Sequence, residues 1–435
     1  MASKAFVIHV EPKKRGAGER ALRDADARLA EAVGLTAAIH LDVVVAETAP
    51  LARPTPATLL GTGKVEEIAA LAGEYAPDVI IVNAHLTPVQ QRNLETAWKS
   101  KVLDRTAVIL EIFGERAATR EGTLQVELAH LNYQRSRLVR SWTHLERQRG
   151  GFGFLGGPGE SQIESDRRLI AERIVRIKAE LEKVKRTRSL GRQARKRVPF
   201  PVVALVGYTN AGKSTLFNRL TESGVLAKDL LFATLDPTMR GLTLSKGTRI
   251  ILSDTVGFIA DLPTELVAAF RATLEEVLEA DVIVHVRDAA HDETEAQKAD
   301  VLKVLAELGV PPDRPMLEVL NKIDLLEPDQ AHGLLARRGR TVAVSALTGE
   351  GIPALLDAFE TAVTRGNITL SLKLDAADGG ALAFAYRHAQ VLERRDRAGK
   401  ISLSLRIHPA DLGRFENRFS KKITIEQGVD RQSSD

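Results

Sequence analysis

A glycine-rich loop followed by Lys and Ser carries the clearest chemical signature in this chain. The loop spans residues 207–215 and reads GYTNAGKST, with an apolar run at 202–206 before it and a helical pattern after it. This order of strand, loop and helix is typical of phosphate-binding loops, in which backbone N–H groups face a polyphosphate. We expect Lys213 to contact the outer phosphates and the Ser214 hydroxyl to hold Mg²⁺. The predicted nucleotide-binding residues of the loop are Gly207, Tyr208, Thr209, Asn210, Ala211, Gly212, Lys213, Ser214 and Thr215.

Three more groups of polar residues follow short apolar runs that predict buried strands. The runs lie at 250–252, 316–320 and 342–344. The first group is placed to supply a carboxylate that holds Mg²⁺ through water, and the other two are placed to contact a base. The predicted nucleotide-binding residues in these groups are Asp254, Thr255, Val256, Gly257, Asn321, Lys322, Ile323, Asp324, Ser345, Ala346 and Leu347.

The carboxylate of Asp324 predicts which base is bound. It can accept hydrogen bonds from both the ring N–H and the exocyclic amine of guanine, whereas adenine presents an acceptor where guanine has its ring N–H. The backbone amides of residues 345–347 are placed to reach the guanine carbonyl. The four motifs together therefore predict a GTP-binding domain.

A polar loop between the first two motifs is expected to be a switch loop that responds to the γ-phosphate. It reads FATLDPT over residues 232–238, and both Thr234 and Thr238 could meet Mg²⁺; we favour Thr234. Its predicted nucleotide-binding residues are Phe232, Ala233, Thr234, Leu235 and Asp236. We predict Lys213, Thr234 and Gly257 as catalytic residues, and Ser214 and Thr234 as metal ligands. Phe258 stands where many GTPases place a glutamine that orients the attacking water, so another group orients that water or the isolated protein is slow.

The motifs GYTNAGKSTLFNRL, FATLDPT, DTVGFI and NKID resemble the HflX family of translation-factor-class GTPases. The resemblance extends to GTGKVEEI, LTPVQQRNLE and GGFGFLGGPGESQIESDRR. It implies GTP hydrolysis with Mg²⁺ and contact with the RNA of the large ribosomal subunit. In related GTPases an asparagine at the position of Asn210 helps to hold K⁺ at the phosphates; a simple turn residue is an equal alternative here.

The length and composition predict a multidomain α/β protein. A chain of 435 residues suggests two to four domains. There is no cysteine for a disulfide framework, no apolar run approaches the ~18 to 20 residues of a membrane span, and no signal-peptide pattern opens the chain. We therefore expect a cytoplasmic protein, without a membrane span, that acts as a monomer.

The pattern of elements predicts five segments. They are an N-terminal α/β domain (1–120), an antiparallel helical hairpin with a glycine-rich tip (121–190), a basic linker (191–199), a central GTPase domain with a doubly wound, mostly parallel sheet (200–365) and a small C-terminal α/β domain (366–435). In the first, we predict strands at 6–10, 40–45, 79–82 and 108–113. The GTGK segment at 61–64 lacks a preceding buried strand, so we favour a plain turn over a second phosphate site.

The hairpin carries the predicted RNA contacts. Apolar residues spaced four and three apart from Leu124 and again from Ile170 predict two packed helices of about 20 residues, each ~30 Å long. Residues 167–197 hold thirteen Lys or Arg and three Asp or Glu, an imbalance that favours nucleic acid over a merely solvated helix face. Aromatic residues among glycines at the tip suit stacking on unpaired bases. The predicted RNA-binding residues are Arg149, Phe152, Phe154, Arg167 and Arg168.

The motifs predict a GTPase, and the resemblance to the HflX family implies that it binds the large ribosomal subunit and splits or rescues ribosomes. The sequence leaves two alternatives open: a ribosome-assembly GTPase, and an RNA-remodelling or RNA-binding protein that uses GTP as a ligand.

Overall fold

The computed structural model describes residues 3–12, 24–148, 158–195, 200–222, 232, 238–259, 276–336, 341–397, 399–407, 409–419 and 423–426. Three sheets with their flanking helices, and a long helical hairpin, account for most of these residues. The predicted multidomain α/β fold with a phosphate-binding loop is confirmed. None of the helices in the described ranges combines the length and the apolar composition that crossing a membrane requires.

The N-terminal domain is a parallel sheet of four strands in the order β2-β1-β3-β4. Alternate residues of each strand point to opposite faces, so Val7 packs beneath α1 and α4 whereas Phe6 packs beneath α2 and α3. The elements are β1 (Lys4–Pro12), α1 (Ala25–Ala37), β2 (Asp42–Leu51), α2 (Thr62–Tyr75), β3 (Val79–Asn83), α3 (Pro88–Trp98), β4 (Lys101–Asp104) and α4 (Arg105–Arg116).

The predicted strand at 108–113 is wrong, because these residues lie within α4. Asp104 caps this helix by accepting from the backbone N–H of Ala107 at 2.9 Å. The run Val108–Ile109–Leu110 is buried because α4 lies between the N-terminal sheet and the GTPase domain, within one continuous core. A short apolar run that is buried on every side does not show by its period whether it is helix or strand. The GTGK segment is the start of α2, where Lys64 pairs with Glu47 and Glu67.

The hairpin consists of α5 (Arg120–Gln148) and α6 (Pro158–Arg195). The helices are antiparallel, since Arg120 pairs with Glu180 and Glu127 pairs with Arg173. Leu124, Ile177 and Leu181 form the buried seam, as predicted. The helices have 29 and 38 residues rather than about 20, so they are ~44 and ~57 Å long. The helix lengths were underestimated because the apolar seam covers only part of each helix. In addition, α6 continues into the predicted linker.

The GTPase domain is a sheet of six strands in the order β10-β9-β8-β5-β7-β6, in which only β6 is antiparallel to its neighbour. The four predicted strands are present, and β8 and β6 are additional. The elements are β5 (Val202–Val206), α7 (Lys213–Thr221), β6 (Thr238–Thr243), β7 (Arg249–Asp254), β8 (Val282–Asp288), α8 (Thr294–Glu307), β9 (Met316–Asn321), α9 (Pro328–Leu335), β10 (Thr341–Ala343) and α10 (Ile352–Val363).

The C-terminal domain is an antiparallel sheet in the order β12-β13-β11-β14. Alternation in β13 buries Leu403 and Leu405 beneath the helices and leaves Ser402 and Ser404 on the other face. The elements are β11 (Ile368–Asp375), α11 (Gly379–His388), β12 (Ala389–Arg397), β13 (Lys400–Ile407), α12 (Pro409–Phe419) and β14 (Ile423–Glu426).

Candidate nucleotide-binding site

The phosphate loop joins β5 to α7 and is packed so closely that two positions accept only glycine. A Cβ atom at Gly207 would lie 2.1 Å from the carbonyl oxygen of Val286, and one at Gly212 would lie 2.2 Å from Nδ2 of Asn321. Gly212 also has a φ of +87°, in the left-handed region. The loop backbone is therefore fixed against β8 and against the end of β9.

Lys213, the first residue of α7, lies against the loop that it is expected to serve. Its Nζ donates to the carbonyl oxygens of Gly207 and Tyr208, at 3.1 and 2.7 Å. Burial lowers the pKa of this ammonium group from its usual 10.5 to about 8, and the Asp254 carboxylate opposes the shift. A bound polyphosphate would stabilise the charged form.

We expect the affinity for guanine nucleotide to fall as the pH rises above about 8. Below pH 8 Lys213 is already charged without nucleotide, whereas above it the free protein loses the proton that the bound state retains. Binding then takes up a proton, and the affinity falls by up to about tenfold per pH unit. The measurement is a titration with a fluorescent GDP analogue at pH 7 to 9.

Lys213→Arg is the control for this pH dependence, because arginine stays charged throughout the range. Between pH 7 and 9, the affinity of the variant for nucleotide should change with pH only because the guanine ring N–H loses its proton. This holds whatever the affinity of the variant is at pH 7. An unchanged affinity of the parent protein from pH 7 to 9 would contradict the role of Lys213.

Two described residues are predicted to hold Mg²⁺, Ser214 as a ligand and Asp254 through water, and they lie together. Ser214 Oγ donates to Asp254 Oδ2 at 2.7 Å, so the second residue of α7 meets the end of β7. The donors are a hydroxyl and a carboxylate, which suit Mg²⁺, and a phosphate and water would complete the shell. Thr255 turns away, since its hydroxyl donates to the carbonyl of Leu205 at 2.6 Å. The other predicted ligand, Thr234, lies outside the described residues.

The segment after Asp254 is bonded directly to the phosphate loop. Thr209 N–H donates to the Phe258 carbonyl at 2.8 Å, and Phe258 N–H donates to the Gly207 carbonyl at 3.0 Å. A Cβ atom at Gly257 would lie 2.9 Å from Cα of Thr209 and 3.1 Å from Nζ of Lys213. The Phe258 side chain is buried in the core that the GTPase domain shares with the N-terminal domain. Packing therefore accounts for phenylalanine at this position.

Asn321 connects the phosphate loop to the base-binding segments. Its Nδ2 donates to the carbonyl of Ala211 at 2.9 Å, and its Oδ1 accepts from the N–H of Ala346 at 2.9 Å. Ser345 Oγ donates to Asp324 Oδ1 at 2.5 Å, which orients an exposed carboxylate. Lys322 Nζ pairs with Asp288 at 2.8 Å. The predicted base site is thus assembled from three segments that are distant in sequence.

Arg219 is a residue of this site that the sequence motifs did not identify. It lies on α7 and donates to the carbonyl of Ala346 at 3.1 Å and to that of Leu347. It holds the segment whose amides are expected to face guanine. The only sequence signal was its place in the helix after the phosphate loop.

The remaining predicted site residues differ in what the structure shows. Phe232 packs its ring against Phe113 of the N-terminal domain, with centroids 4.7 Å apart and an edge-to-face angle of 78°. Arg167 and Arg168 are exposed on α6, where Arg168 lies 3.4 Å from Glu172. The following predicted residues lie outside the described ranges: Ala233, Thr234, Leu235, Asp236, Arg149, Phe152 and Phe154.

A mostly parallel sheet with a phosphate loop, an adjacent carboxylate, and an asparagine and an aspartate after a neighbouring strand defines a P-loop GTPase. Family models match four successive parts of the chain: GTP-binding GTPase N-terminal (26–114), GTP-binding GTPase Middle Region (116–195), 50S ribosome-binding GTPase (202–322) and HflX C-terminal domain (334–427). The chain belongs to the HflX family of GTPases, and it is a GTP hydrolase.

Two relatives that are at least 44% identical agree with this assignment. The GTPase HflX of Magnetococcus marinus is 54% identical over 404 residues, which cover 92% of this chain and 93% of the relative. The GTPase HflX of Escherichia coli is 44% identical over 366 residues, which cover 83% and 85%. A GTP-binding protein from Sulfolobus solfataricus, solved in complex with GDP, is 24% identical with a TM-score of 0.44, over 83% of this chain and 99% of that chain.

Proposed function

We propose that this GTPase binds the large ribosomal subunit and splits or rescues ribosomes, with GTP hydrolysis releasing it. The observation that carries the proposal is the hairpin, whose helix α6 extends for 38 residues and carries the excess of basic charge. A basic helix of this length can reach RNA away from the protein body. The match of the GTPase domain to the 50S ribosome-binding GTPase model supports the large subunit as the partner.

In the proposed mechanism, water attacks the γ-phosphate without a covalent intermediate. Lys213 holds charge beside the phosphates, and the backbone N–H groups of the phosphate loop orient them. Ser214 and Asp254, and Thr234 by expectation, would hold Mg²⁺, which neutralises charge on the phosphate oxygens when it is bound. Gly257 lies against Lys213, and we expect its N–H to donate to the γ-phosphate.

The deciding experiment measures GTP hydrolysis by the full chain with and without purified large subunits. We expect large subunits to raise the turnover number, whereas purified small subunits should not. If the rate is the same in all three conditions, large-subunit stimulation is wrong.

The ribosome-assembly alternative differs only in the partner particle. Sedimentation with GTP and a non-hydrolysable analogue, followed by detection in mature and precursor fractions, distinguishes the two. Association with precursor particles alone would favour assembly. GTP binding without sustained turnover on either particle would favour an RNA-binding protein for which GTP is only a ligand.

Changes in the hairpin should affect ribosome binding and leave nucleotide binding unchanged. Phe152→Ala with Phe154→Ala should weaken ribosome binding by about 1 to 3 kcal/mol for each stacking contact that is lost. Arg167→Ala with Arg168→Ala should make the salt dependence less steep, by up to about two in the slope of log K against log salt. Sedimentation at several salt concentrations measures both effects.

Arg120→Ala is the matched control for the arginine pair, because Arg120 is exposed at the base of the other helix. It should bind ribosomes as the parent protein does. Loss of GDP affinity in the phenylalanine variant would show that the tip belongs to the nucleotide site.

The proposed dependence of turnover on K⁺ can be tested by substituting Asn210. Its φ is +59°, and it is exposed in the phosphate loop. If the side-chain carbonyl of Asn210 helps to hold K⁺, turnover in K⁺ should exceed turnover in Na⁺ several-fold. Asn210→Gly should then remove the difference. Glycine preserves the left-handed backbone and removes only the side chain. Equal turnover of the parent protein in both salts would leave Asn210 as a turn residue.

A further inference from the structure

The side chain of Tyr208, the second residue of the phosphate loop, points away from the nucleotide site and into the N-terminal domain. Its hydroxyl donates to Glu31 Oε2 at 2.5 Å, and Glu31 lies on α1, 177 positions earlier in the chain. The Tyr208 side chain is buried, while its carbonyl accepts from Lys213. One residue therefore contacts both the phosphate-binding lysine and another domain.

Glu31 is held in place from the other side by a buried polar cluster. Arg105 donates to Glu31 Oε1 at 2.5 Å and to Asn83 Oδ1 at 2.6 Å. Asn83 Nδ2 lies 3.1 Å from His9 Nδ1. These residues occupy the carboxyl ends of β1 and β3 and the start of α4. The connections of the sheet diverge between β1 and β3, which is where doubly wound domains bind ligands. In this chain the tyrosine of the phosphate loop reaches that crevice.

The hydrogen bond is partly buried, and apolar contacts lie beside it. Phe113 of α4 packs edge-to-face on Phe232, and Tyr208 and Phe258 belong to the same buried cluster. A hydrogen bond to a carboxylate is stronger in such surroundings than in water. The hydrogen bond between Tyr208 and Glu31 and the apolar contacts beside it thus hold the two domains together.

We propose that Glu31 is a positioning residue for GTP binding, because it holds the phosphate loop in its binding conformation through Tyr208. The loop includes left-handed backbone at Asn210 and Gly212, which an unanchored chain adopts only part of the time. An anchor that reduces this freedom before nucleotide arrives increases affinity. The proposal rests on the GTPase activity and is independent of ribosome binding.

The hydrogen bond between Tyr208 and Glu31 lies close to the residue that holds the hairpin. Asp104 is fully buried and accepts from the Tyr133 hydroxyl at 2.9 Å and from Arg137 at 2.6 Å, both on α5. Asp104 precedes Arg105 in the chain. The hairpin is therefore bonded to Asp104 and the phosphate loop to Glu31, whose partner Arg105 follows Asp104 in the chain.

The test is a double-mutant cycle on the rate at which a fluorescent GDP analogue leaves the full chain, without ribosomes. Tyr208→Phe and Glu31→Gln should each speed dissociation about 3- to 10-fold, since each removes the charge-assisted hydrogen bond. Because both remove the same contact, the double variant should dissociate no faster than the faster single variant. Thermal unfolding without nucleotide monitors the fold of each variant, and Tyr208→Phe decides the outcome if Glu31→Gln is unstable.

Glu293→Gln is the matched control at the same domain interface. Glu293 Oε1 accepts from the backbone N–H of Asp24 at 2.7 Å and belongs to the segment before α8 rather than to the phosphate loop. This variant should release GDP at the rate of the parent protein. The proposal is overturned if Tyr208→Phe releases GDP at the parent rate, if the two changes multiply, or if Glu293→Gln has an equal effect. Failure of the parent protein to bind GDP at all would instead contradict the GTP site itself.

Discussion

Asp324→Asn should convert the site from guanine to xanthine nucleotides. The carboxylate is expected to accept from two guanine donors, whereas an asparagine side chain offers one acceptor and one donor. Each mismatched buried polar group costs about 1 to 3 kcal/mol, so GTP binding should fall about tenfold or more. Xanthosine triphosphate, which carries a carbonyl in place of the guanine amine, should gain affinity. Competition of both nucleotides against a fluorescent GDP analogue measures the exchange.

Asp329→Asn provides the control for this change. It is the same substitution at an exposed carboxylate in the first turn of α9, five positions further along the chain. This variant should bind both nucleotides with the affinities of the parent protein. Undiminished GTP binding by Asp324→Asn would show that Asp324 does not contact the base, although Ser345 orients its carboxylate in the structure.

Asn321→Ala should have a still larger effect, because Asn321 serves two buried backbone groups at once. The change leaves the carbonyl of Ala211 and the N–H of Ala346 without this partner. At about 1 to 3 kcal/mol for each group, GDP affinity should fall by at least about 30-fold. The phosphate loop and the base-binding segment would each lose the contact that fixes them. Direct titration with fluorescent GDP measures the loss.

The matched control is Asn93→Ala on α3, which removes a partly exposed hydrogen bond to the carbonyl of Ala57 at 2.8 Å. Its nucleotide affinity should equal that of the parent protein. A melting temperature for nucleotide-free Asn321→Ala near that of the parent would show that the loss is local. If Asn321→Ala bound GDP with parental affinity, the interpretation of Asn321 as the link between the two segments would fail.

The hairpin shows how far a sequence pattern extends in this chain. The spacing of Leu124 and Ile177 predicted two packed helices, and the structure pairs these residues. Helix length could not be predicted the same way, because α6 continues as a basic, polar helix beyond its apolar seam and into the segment predicted as a linker. Burial also misled the prediction at 108–113, where the second domain covers the outer face of a helix.

By itself, the sequence determined that the protein is a GTPase. The phosphate loop, the carboxylate at Asp254 and the aspartate at Asp324 are local motifs, in which each side chain is placed by the strand end that precedes it. Such placement depends on a few neighbouring backbone angles, so it can be read without knowing the rest of the fold.

Only the tertiary structure decided what holds these motifs together. Asn321 meets Ala211 across 110 positions and Tyr208 meets Glu31 across 177. It also explained Phe258, whose ring lies in the core between two domains. The motifs do not show which residues pair in this way, because the contact arises from how sheets and domains pack and not from residues adjacent in the chain.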